Sequence, residues 1–411
     1  MAHRTFIFLL VLFHSVASGA AGPPASGPPI HIGLDAEFGN RTSTADDAIK
    51  AGIEIAIDEI NARGGVLAGK PVDKLVGKPG GGPTGRPLVL VTRDNRGIPA
   101  RGVDNLRELA GVKDLVAVIG SKFSPVMLGQ VGPAHELKLP LLDPWAAADG
   151  IIDHGRQPSY TFRLSLRDGW VMPFLMQSAL KRGYRKIGLL LPNGAWGRSN
   201  RDAAEHHASR HDQPALVKIA GFDWSDTSLA NEDLELVQAG AEAILVVGNE
   251  PEIALLLKDM TALPKDQWRP LFSHWGAAAG DLPGLAGQAL GLADLSVVQT
   301  FSFLDNPDPK AKAVLKAAMA KLALDDPGKL RSPVGVAHGY DLVHLLARAI
   351  DLAGSTDREH IRAALERLPR HVGLIRTYQP AFSRDRHEAL GPEQLFLARW
   401  RPDGSLTRVG R

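Results

Sequence analysis

Residues 30–65 read IHIGLDAEFGNRTSTADDAIKAGIEIAIDEINARGG, a short apolar run followed by a polar loop and a longer amphipathic segment. The run at 30–34 is typical of a buried β-strand, and the apolar residues of 48–60 recur at helical spacing. The glycine pair at 64–65 then supplies the residue that commonly ends a helix. This order of strand, loop and helix predicts the first unit of an α/β fold.

The same alternation continues along the chain. Apolar runs separated by helical patterns predict further strands at residues 88–93, 116–120, 140–143, 186–192, 216–222, 243–248, 271–274 and 296–300. A last pair of runs, at 373–382 and 394–400, is typical of antiparallel strands. Parallel strands need helical crossovers, and 411 residues are more than one core usually organises. We therefore predict an α/β protein with two doubly wound parallel-sheet lobes.

The N-terminus has the composition of an export signal. Residues 1–22 contain a basic start at His3 and Arg4, an apolar run at 6–13 that is too short to span a bilayer, and small residues near its end. The sequence has no cysteine, which excludes a disulfide, a thiol nucleophile and a lipid attached through cysteine. We expect a cleaved signal peptide and a periplasmic protein that is not a lipoprotein and has no stable membrane insertion.

Composition and motifs argue against several classes of function. The formal net charge of +2 is spread along the chain, which argues against a nucleic-acid groove. Residues 33–39 lack the Gly-x-Gly-x-x-Gly turn of nicotinamide enzymes, and the Gly-x-Ser-x-Gly elbow of serine hydrolases does not occur. The insertion at 70–87 lacks the Gly-Lys-Ser/Thr ending of a phosphate loop, and His207 and His211 lack the His-Glu-x-x-His pattern of zinc enzymes. We predict no catalytic residue, no cofactor and no metal site.

Three tryptophans occupy the positions where a ligand is expected. Ligands of open α/β sheets bind at the carboxyl ends of the strands, and Trp145, Trp196 and Trp275 each follow the end of a predicted strand. Bulky aromatic side chains at these positions can line a cleft between two lobes. Ordinary core packing is the alternative role for each of them.

Six sequence segments occur in a characteristic order along the chain. They are IHIGL at 30–34, AGIEIAIDEINARGGV at 51–66, RDN at 93–95, VIGS at 118–121, LPLLDP at 139–144 and AHGYD at 337–341. In this order they resemble the branched-chain amino acid (Leu/Ile/Val)-binding protein family, the type I periplasmic solute-binding proteins of ABC transporters. The resemblance covers nearly all of the chain after the signal, and INARGG at 60–65 is its most specific part.

The resemblance implies two lobes joined by a three-strand hinge, with a ligand enclosed when the lobes close. Residues 30–161 and 301–390 would form lobe 1, and residues 162–300 and 391–411 would form lobe 2. The implied function is a periplasmic substrate-binding protein that delivers a small molecule to the membrane permease of an ABC transporter and catalyses no reaction. The alternative is the same fold used as a ligand sensor or as an accessory protein of a periplasmic oxidation system.

The resemblance also assigns ligand contacts. Ser124 matches a hydroxyl that binds the ligand carboxylate beside a helix N-terminus, where free N–H groups and the helix dipole attract an anion. A plain N-cap is the alternative role for Ser124. Backbone groups at 146–147 stand where a second hydroxyl is missing. Trp196 matches an aromatic clamp over the ligand, and the next contact falls at 249–250.

The main departure from the family is Trp275. In amino-acid binders a carboxylate near this position binds the ligand ammonium, and tryptophan cannot accept that charge. Glu37, Glu250 and Asp281 are candidate substitutes, and cation–π contact is a further option. An amino acid or related small carboxylate is expected first, with an aromatic acid, an amide or another small neutral molecule left open. The candidate ligand-binding residues are Glu37, Phe123, Ser124, Trp145, Ala146, Ala147, Trp196, Asn249, Glu250 and Trp275.

Overall fold

The computed structural model describes residues 25–68, 85–210, 212–304 and 306–409. The predicted signal peptide, most of the predicted surface insertion and His211 lie outside the described residues. No helix in the described part of the chain is both long and apolar enough to cross a bilayer.

The first sheet is parallel throughout. Its strands are β1 (Ile30–Ala36), β2 (Leu88–Asp94), β3 (Leu115–Ile119), β4 (Leu141–Asp143) and β5 (Thr161–Arg163). They lie in the order β2-β1-β3-β4-β5. β3 is a continuous apolar run because helices cover both faces of the sheet, and every one of its residues is buried.

The second sheet combines parallel and antiparallel strands. Its strands are β6 (Lys186–Pro192), β7 (Ala215–Phe222), β8 (Ala243–Val246), β9 (Leu271–Ser273) and β10 (Leu295–Gln299), joined later in the chain by β13 (Phe396–Trp400) and β14 (Leu406–Arg408). Their order is β14-β13-β10-β9-β8-β6-β7, with β13 and β14 antiparallel. The short strands β11 (His371–Val372) and β12 (Thr377–Tyr378) form a separate antiparallel hairpin.

Helices connect the strands and cover both sheets. They are α1 (Ala45–Ala62), α2 (Pro99–Ala110), α3 (Ser124–Glu136), α4 (Asp168–Lys181), α5 (Ala195–Ala208), α6 (Ala230–Gln238), α7 (Glu250–Ala262), α8 (Leu282–Ala286), α9 (Gln288–Leu292), α10 (Pro309–Lys321), α11 (Pro333–Ala353) and α12 (Arg358–Leu365). α1 packs closely on α11, since a side chain on Gly52 would meet the Val336 carbonyl oxygen at 2.1 Å. Glycine is therefore required where these helices touch.

The chain passes between the two sheets three times, after β5, after β10 and before β13. At the first crossing the Asp168 N–H donates to the Ala147 carbonyl at 2.9 Å, and the buried Arg163 guanidinium pairs with Glu388 near the third crossing. The α/β class with two doubly wound lobes is thus confirmed. The lobe boundaries at 161/162, 300/301 and 390/391 stay predictions; β5 keeps its first-sheet pairing as far as Arg163.

One predicted strand pairing is wrong. Residues 373–382 do not pair with 394–400, because β13 hydrogen-bonds to β10 on one side and to β14 on the other. The sequence around β12 instead closes a hairpin with β11. Both regions carry strand-like composition, which indicates strands but does not identify their partners.

Candidate ligand-binding site

A cavity of about 280 Å³ lies between the two lobes. Its lining residues come from loops at the carboxyl ends of strands in both sheets, the place where α/β sheets bind ligands. They are Arg96, Gly97, Lys122, Phe123, Ser124, Pro125, Trp145, Trp196, Trp224, Asn249 and Trp275.

Two tryptophans join the lobes at the inner end of the cavity. Trp145 follows β4 and Trp275 follows β9, and their ring centroids are 4.8 Å apart at an interplanar angle of 31°. The Trp275 ring also lies 5.7 Å from the imidazole of His338 on α11. Trp145 is 3% exposed and Trp275 1% exposed. The contact closes the lobes over this end of the cavity.

Asp168 orients the side chain of Trp196, the third tryptophan that was predicted to line the cavity. The Trp196 indole N–H donates to Asp168 Oδ1 at 3.2 Å, and His274 Nε2 donates to the same oxygen at 3.1 Å. His274 Nδ1 accepts the Trp275 N–H at 2.9 Å, so the imidazole proton resides on Nε2. One buried carboxylate therefore fixes Trp196 directly and the Trp275 loop through His274. The sequence analysis missed Asp168, whose only local signal is an acidic residue in the first turn of a helix.

Ser124 is the first residue of α3, and the N-cap position belongs to Phe123. Its Oγ accepts the N–H groups of Ala147 and Ala148, each at 3.2 Å. The N-cap alternative for Ser124 is therefore wrong. Because Oγ already accepts two hydrogen bonds, the hydroxyl hydrogen is what Ser124 can offer to a ligand.

The backbone N–H groups at 145–147 are not available to a ligand. Trp145 and Ala146 donate theirs to Asp143 Oδ1 at 2.9 and 2.7 Å, and Ala147 donates to Ser124. Ala146 and Ala147 are buried and do not line the cavity. The N–H groups predicted to bind the ligand are thus satisfied by Asp143 and Ser124 in this structure.

Lys122 places a positive charge in the cavity wall. Its ammonium donates to Glu37 Oε2 at 3.1 Å and to Ser43 Oγ, and it lies 4.7 Å from the Phe123 ring centroid. The Lys122 side chain is 2% exposed. The Lys122 N–H donates to Asp46 Oδ1, and burial raises the pKa of Asp46 to about 6 against the attraction of Lys122.

The candidate carboxylates for an ammonium group lie elsewhere. Glu37 is paired with Lys122, and Asp281 pairs with Arg331 at 3.0 Å. Glu250 is fully buried, where burial raises its pKa and Lys122 acts in the opposite direction. The structure places all three outside the lining of this cavity. Among the described residues, no aspartate or glutamate lines this cavity.

The structure brings six of the ten predicted residues together in the cavity lining. These are Phe123, Ser124, Trp145, Trp196, Asn249 and Trp275. The sequence analysis missed Arg96, Gly97, Lys122, Pro125 and Trp224. Trp224 carried the same signal as the three predicted tryptophans, since it follows the end of β7. Lys122 follows the end of β3 and Pro125 lies in the first turn of α3, on either side of the predicted residues Phe123 and Ser124.

Glu252, beside the cavity residue Asn249, gives the protein a pH-dependent stability. Burial raises its pKa to about 7, although its Oε2 accepts the Asn249 N–H at 3.1 Å. The folded-state pKa exceeds the ordinary value of 4.5, so stability falls as the pH rises through about 7. Glu252→Gln keeps the acceptor oxygen and removes the charge. We expect this variant to equal the wild type at pH ~5 and to exceed it at pH ~8 by roughly 1–3 kcal/mol.

Urea denaturation at both pH values measures this difference. The matched control is Glu205→Gln, a substitution of an exposed glutamate on α5, which we expect to change stability little at either pH. A Glu252→Gln effect of the same size at both pH values would show that the buried carboxylate does not titrate as described.

Two α/β lobes that enclose a loop-lined cavity define a two-lobed binding protein of the hinge-closing type. The sequence model of the family described as periplasmic binding protein matches residues 29–405. The chain therefore belongs to this family, as the resemblance predicted.

Two curated relatives are named as a Leu/Ile/Val-binding protein or a homolog of one. The Leu/Ile/Val-binding protein BraC3 of Rhizobium johnstonii is 22% identical over 378 residues, which cover 89% of this chain and 92% of that protein. The Leu/Ile/Val-binding protein homolog 7 of Brucella melitensis is 25% identical over 260 residues, 59% of this chain and 58% of its own length.

Solved structures share the fold. A type 1 periplasmic binding protein from Bordetella pertussis superposes with a TM-score of 0.79 at 20% identity, covering 93% of this chain and 100% of that one. An ABC transporter solute-binding protein from R. palustris, in complex with benzoate, gives 0.72 at 18% identity over 93% and 96% of the two chains.

Proposed function

We propose that the protein is the periplasmic substrate-binding component of an ABC transporter, that it encloses a small aromatic carboxylate, and that it catalyses no reaction. One observation carries this proposal: the cavity has aromatic walls and cationic side chains, and no acidic residue in the described chain lines it. The membrane permease of the transporter is the partner that the closed form would meet.

The walls of the cavity suit a planar ring. Four tryptophans and Phe123 contribute to a space of about 280 Å³, near the lower end of small-ligand pockets at ~300 Å³. Aromatic rings gain from offset or edge-on contact in addition to the burial of their area. An aromatic acid of one ring therefore matches both the size and the chemistry of the space.

The first turn of α3 offers hydrogen-bond donors to the carboxylate of the ligand. Ser124 offers its hydroxyl hydrogen, and the first N–H groups of a helix have no acceptor within the helix. The Lys122 ammonium, which is paired with Glu37, lies 4.7 Å from the ring centroid of the N-cap residue Phe123 and adds a partly neutralised positive charge here. An anion at this end of the cavity thus meets donors and charge that favour it.

The same cavity disfavours an α-amino acid. A buried ammonium needs a carboxylate or several acceptors, because its desolvation is otherwise uncompensated. Trp275 occupies the position where amino-acid binders carry that carboxylate. Of the ligands expected from the sequence, the small carboxylate is kept and the amino acid is not. The benzoate complex of the R. palustris protein supports an aromatic acid as a ligand that this fold can enclose.

A thermal-shift screen tests the proposed function. The purified protein is heated with benzoate, benzamide, leucine and phenylalanine in separate wells. A ligand that binds only the folded state stabilises it by about 2.7 kcal/mol at a hundred times its Kd. We expect a clear shift with benzoate and none with leucine. A shift with leucine and none with benzoate would overturn the assignment of an aromatic carboxylate.

Ser124→Ala tests the carboxylate end of the cavity. The variant loses the hydroxyl donor to the ligand and leaves the buried N–H groups of Ala147 and Ala148 without their acceptor. We expect benzoate affinity to fall about tenfold and the free energy of unfolding to fall by about 1–3 kcal/mol. Calorimetry and urea denaturation measure the two effects.

Ser178→Ala is the matched control for this substitution. The Ser178 hydroxyl donates to the Phe174 carbonyl at 2.7 Å within α4, and Ser178 does not line the cavity. It should leave benzoate affinity unchanged. If Ser124→Ala binds benzoate as tightly as Ser178→Ala, Ser124 does not contact the ligand.

A further inference from the structure

The cavity is closed at one end and reaches the protein surface at the other. Trp145 and Trp275, at the inner end, are at most 3% exposed. Trp224 is 47% exposed and the Arg96 side chain 66% exposed, although both line the same cavity. We call Arg96 and Trp224 the mouth of the cavity. Ser124 lines the same cavity as these two exposed side chains, so a ligand held at Ser124 shares the cavity with side chains that solvent also reaches.

The turn that carries Arg96 is ordered against the cavity. Arg96 has a φ of 51°, and its N–H donates to Asp94 Oδ1 at 2.9 Å. The next N–H, of Gly97, donates to Asn95 Oδ1 at 2.8 Å. A side chain on Gly97 would meet the Phe123 ring at 3.1 Å. The turn is thus held against the wall of the cavity, which places Arg96 at the mouth by backbone geometry.

The guanidinium of Arg96 uses only part of its hydrogen-bonding capacity. Its Nε lies 3.6 Å from Asp94 Oδ2, the one ion-pair partner that it has among the described residues. Arg101 bonds to the same residue, its Nε donating to the Asp94 carbonyl at 2.7 Å. Asp94 therefore contacts Arg96 through its carboxylate and Arg101 through its backbone carbonyl. An arginine has five N–H donors, so Arg96 retains donors for an anion.

Trp224 forms the opposite side of the mouth. Its ring packs edge-on against Phe222, with centroids 5.7 Å apart, and stays half-exposed. The neighbouring carboxylates have partners of their own, since Asp223 accepts the amide of Asn193 from the loop after β6 and Asp226 accepts the Asp223 N–H. Neither carboxylate lines the cavity. The Trp224 ring remains free to cover the outer part of a ligand.

Building on the proposed function, we propose that the ligand is an aromatic acid with a second anionic group at the far end of its ring, bound at the mouth by Arg96 and covered by Trp224. The first carboxylate lies at the start of α3 near Ser124. The second lies at the mouth, where a charge-assisted hydrogen bond to arginine is available without full desolvation. Arg96 and Trp224 thereby determine which aromatic acids the protein prefers.

Calorimetry with benzoate and terephthalate tests this inference, because the two acids differ only in the second carboxylate. We expect the wild type to bind terephthalate at least about fivefold tighter than benzoate. Arg96→Gln should bring this ratio close to ~1, and Arg96→Glu should invert it by charge repulsion. Arg101→Gln, which changes an exposed arginine of the same region that does not line the cavity, should keep the wild-type ratio.

The outcomes separate the two proposals. Benzoate binding without a preference for terephthalate, or a preference that survives in Arg96→Gln, would overturn the role of the mouth and leave the proposed function standing. Absence of binding by both acids would overturn the aromatic-carboxylate ligand and the mouth together.

Discussion

Trp275→Ala is expected to lower benzoate affinity about 100-fold, the size typical of a central aromatic residue in a binding site. The substitution removes a wall of the cavity and also the ring that stacks on Trp145 across the lobes at 4.8 Å. It therefore weakens both the ligand contact and the closed arrangement of the lobes. Calorimetry at a fixed temperature measures the affinity.

Because Trp275 is fully buried, the same change should destabilise the fold by about 3–5 kcal/mol. Circular dichroism must show that the variant is folded, and Trp275→Phe supplies a second variant that keeps an aromatic ring. Trp400→Ala, on β13 and outside the cavity lining, is the control for losing a tryptophan. If Trp275→Ala binds benzoate within about twofold of Trp400→Ala, the Trp275 ring is core packing rather than a ligand wall.

Lys122→Met is expected to lower stability about as much as Trp275→Ala. The variant leaves Glu37 and the buried Asp46 without the cation that lies beside them, and removing one partner of a buried pair costs about 3–5 kcal/mol. It also removes the positive charge from the anion end of the cavity, so benzoate binding should be lost or strongly weakened. Urea denaturation and calorimetry measure the two effects.

Lys321→Met is the matched control for the loss of the Lys122 charge. Lys321 also pairs with two carboxylates, Glu54 at 3.7 Å and Asp58 at 2.9 Å, but its side chain is 30% exposed. An exposed pair contributes about 0–1 kcal/mol, so this variant should change stability little and affinity not at all. Equal losses of stability in Lys122→Met and Lys321→Met would mean that the burial of Lys122 has no energetic consequence.

The fold followed closely from the sequence because its strands are continuous apolar runs separated by amphipathic helices. The stretch at 30–65 predicts β1 to within two residues and α1 to within three residues at each end. β5 escaped prediction because three residues carry too little periodicity, and the partners of β13 depend on contacts far apart in sequence. Local pattern indicates elements, whereas pairing is decided by packing.

The sequence predicts those residues of the candidate site that follow the end of a strand. It does not predict residues whose role depends on contacts with partners far away in the sequence. Trp145, Trp196 and Trp275 were found because each follows a strand. Asp168 was missed because its partners are 28 and 106 residues away. Asn249 lines the cavity while its neighbour Glu250 is buried outside the lining, since adjacent residues at a helix start face different directions.

Under the proposed function, the absence of an acid from the described cavity lining is the feature that we expect to distinguish this site from that of an amino-acid binder. By the resemblance, Trp275 stands where amino-acid binders carry a carboxylate. The three acidic residues that could have taken over that role, Glu37, Glu250 and Asp281, are paired with a cation or buried, and none lines the cavity. We therefore expect the affinity for a ligand to depend more on whether the ligand carries an ammonium group than on the shape of its apolar part.

Isothermal titration calorimetry with 3-phenylpropanoate and phenylalanine measures that dependence directly, because the two compounds differ only in the α-ammonium group. We expect 3-phenylpropanoate to bind at least about 100-fold tighter, since the ammonium would be buried without a carboxylate partner. Equal or tighter binding of phenylalanine would contradict the assignment of this cavity to carboxylates that carry no ammonium group.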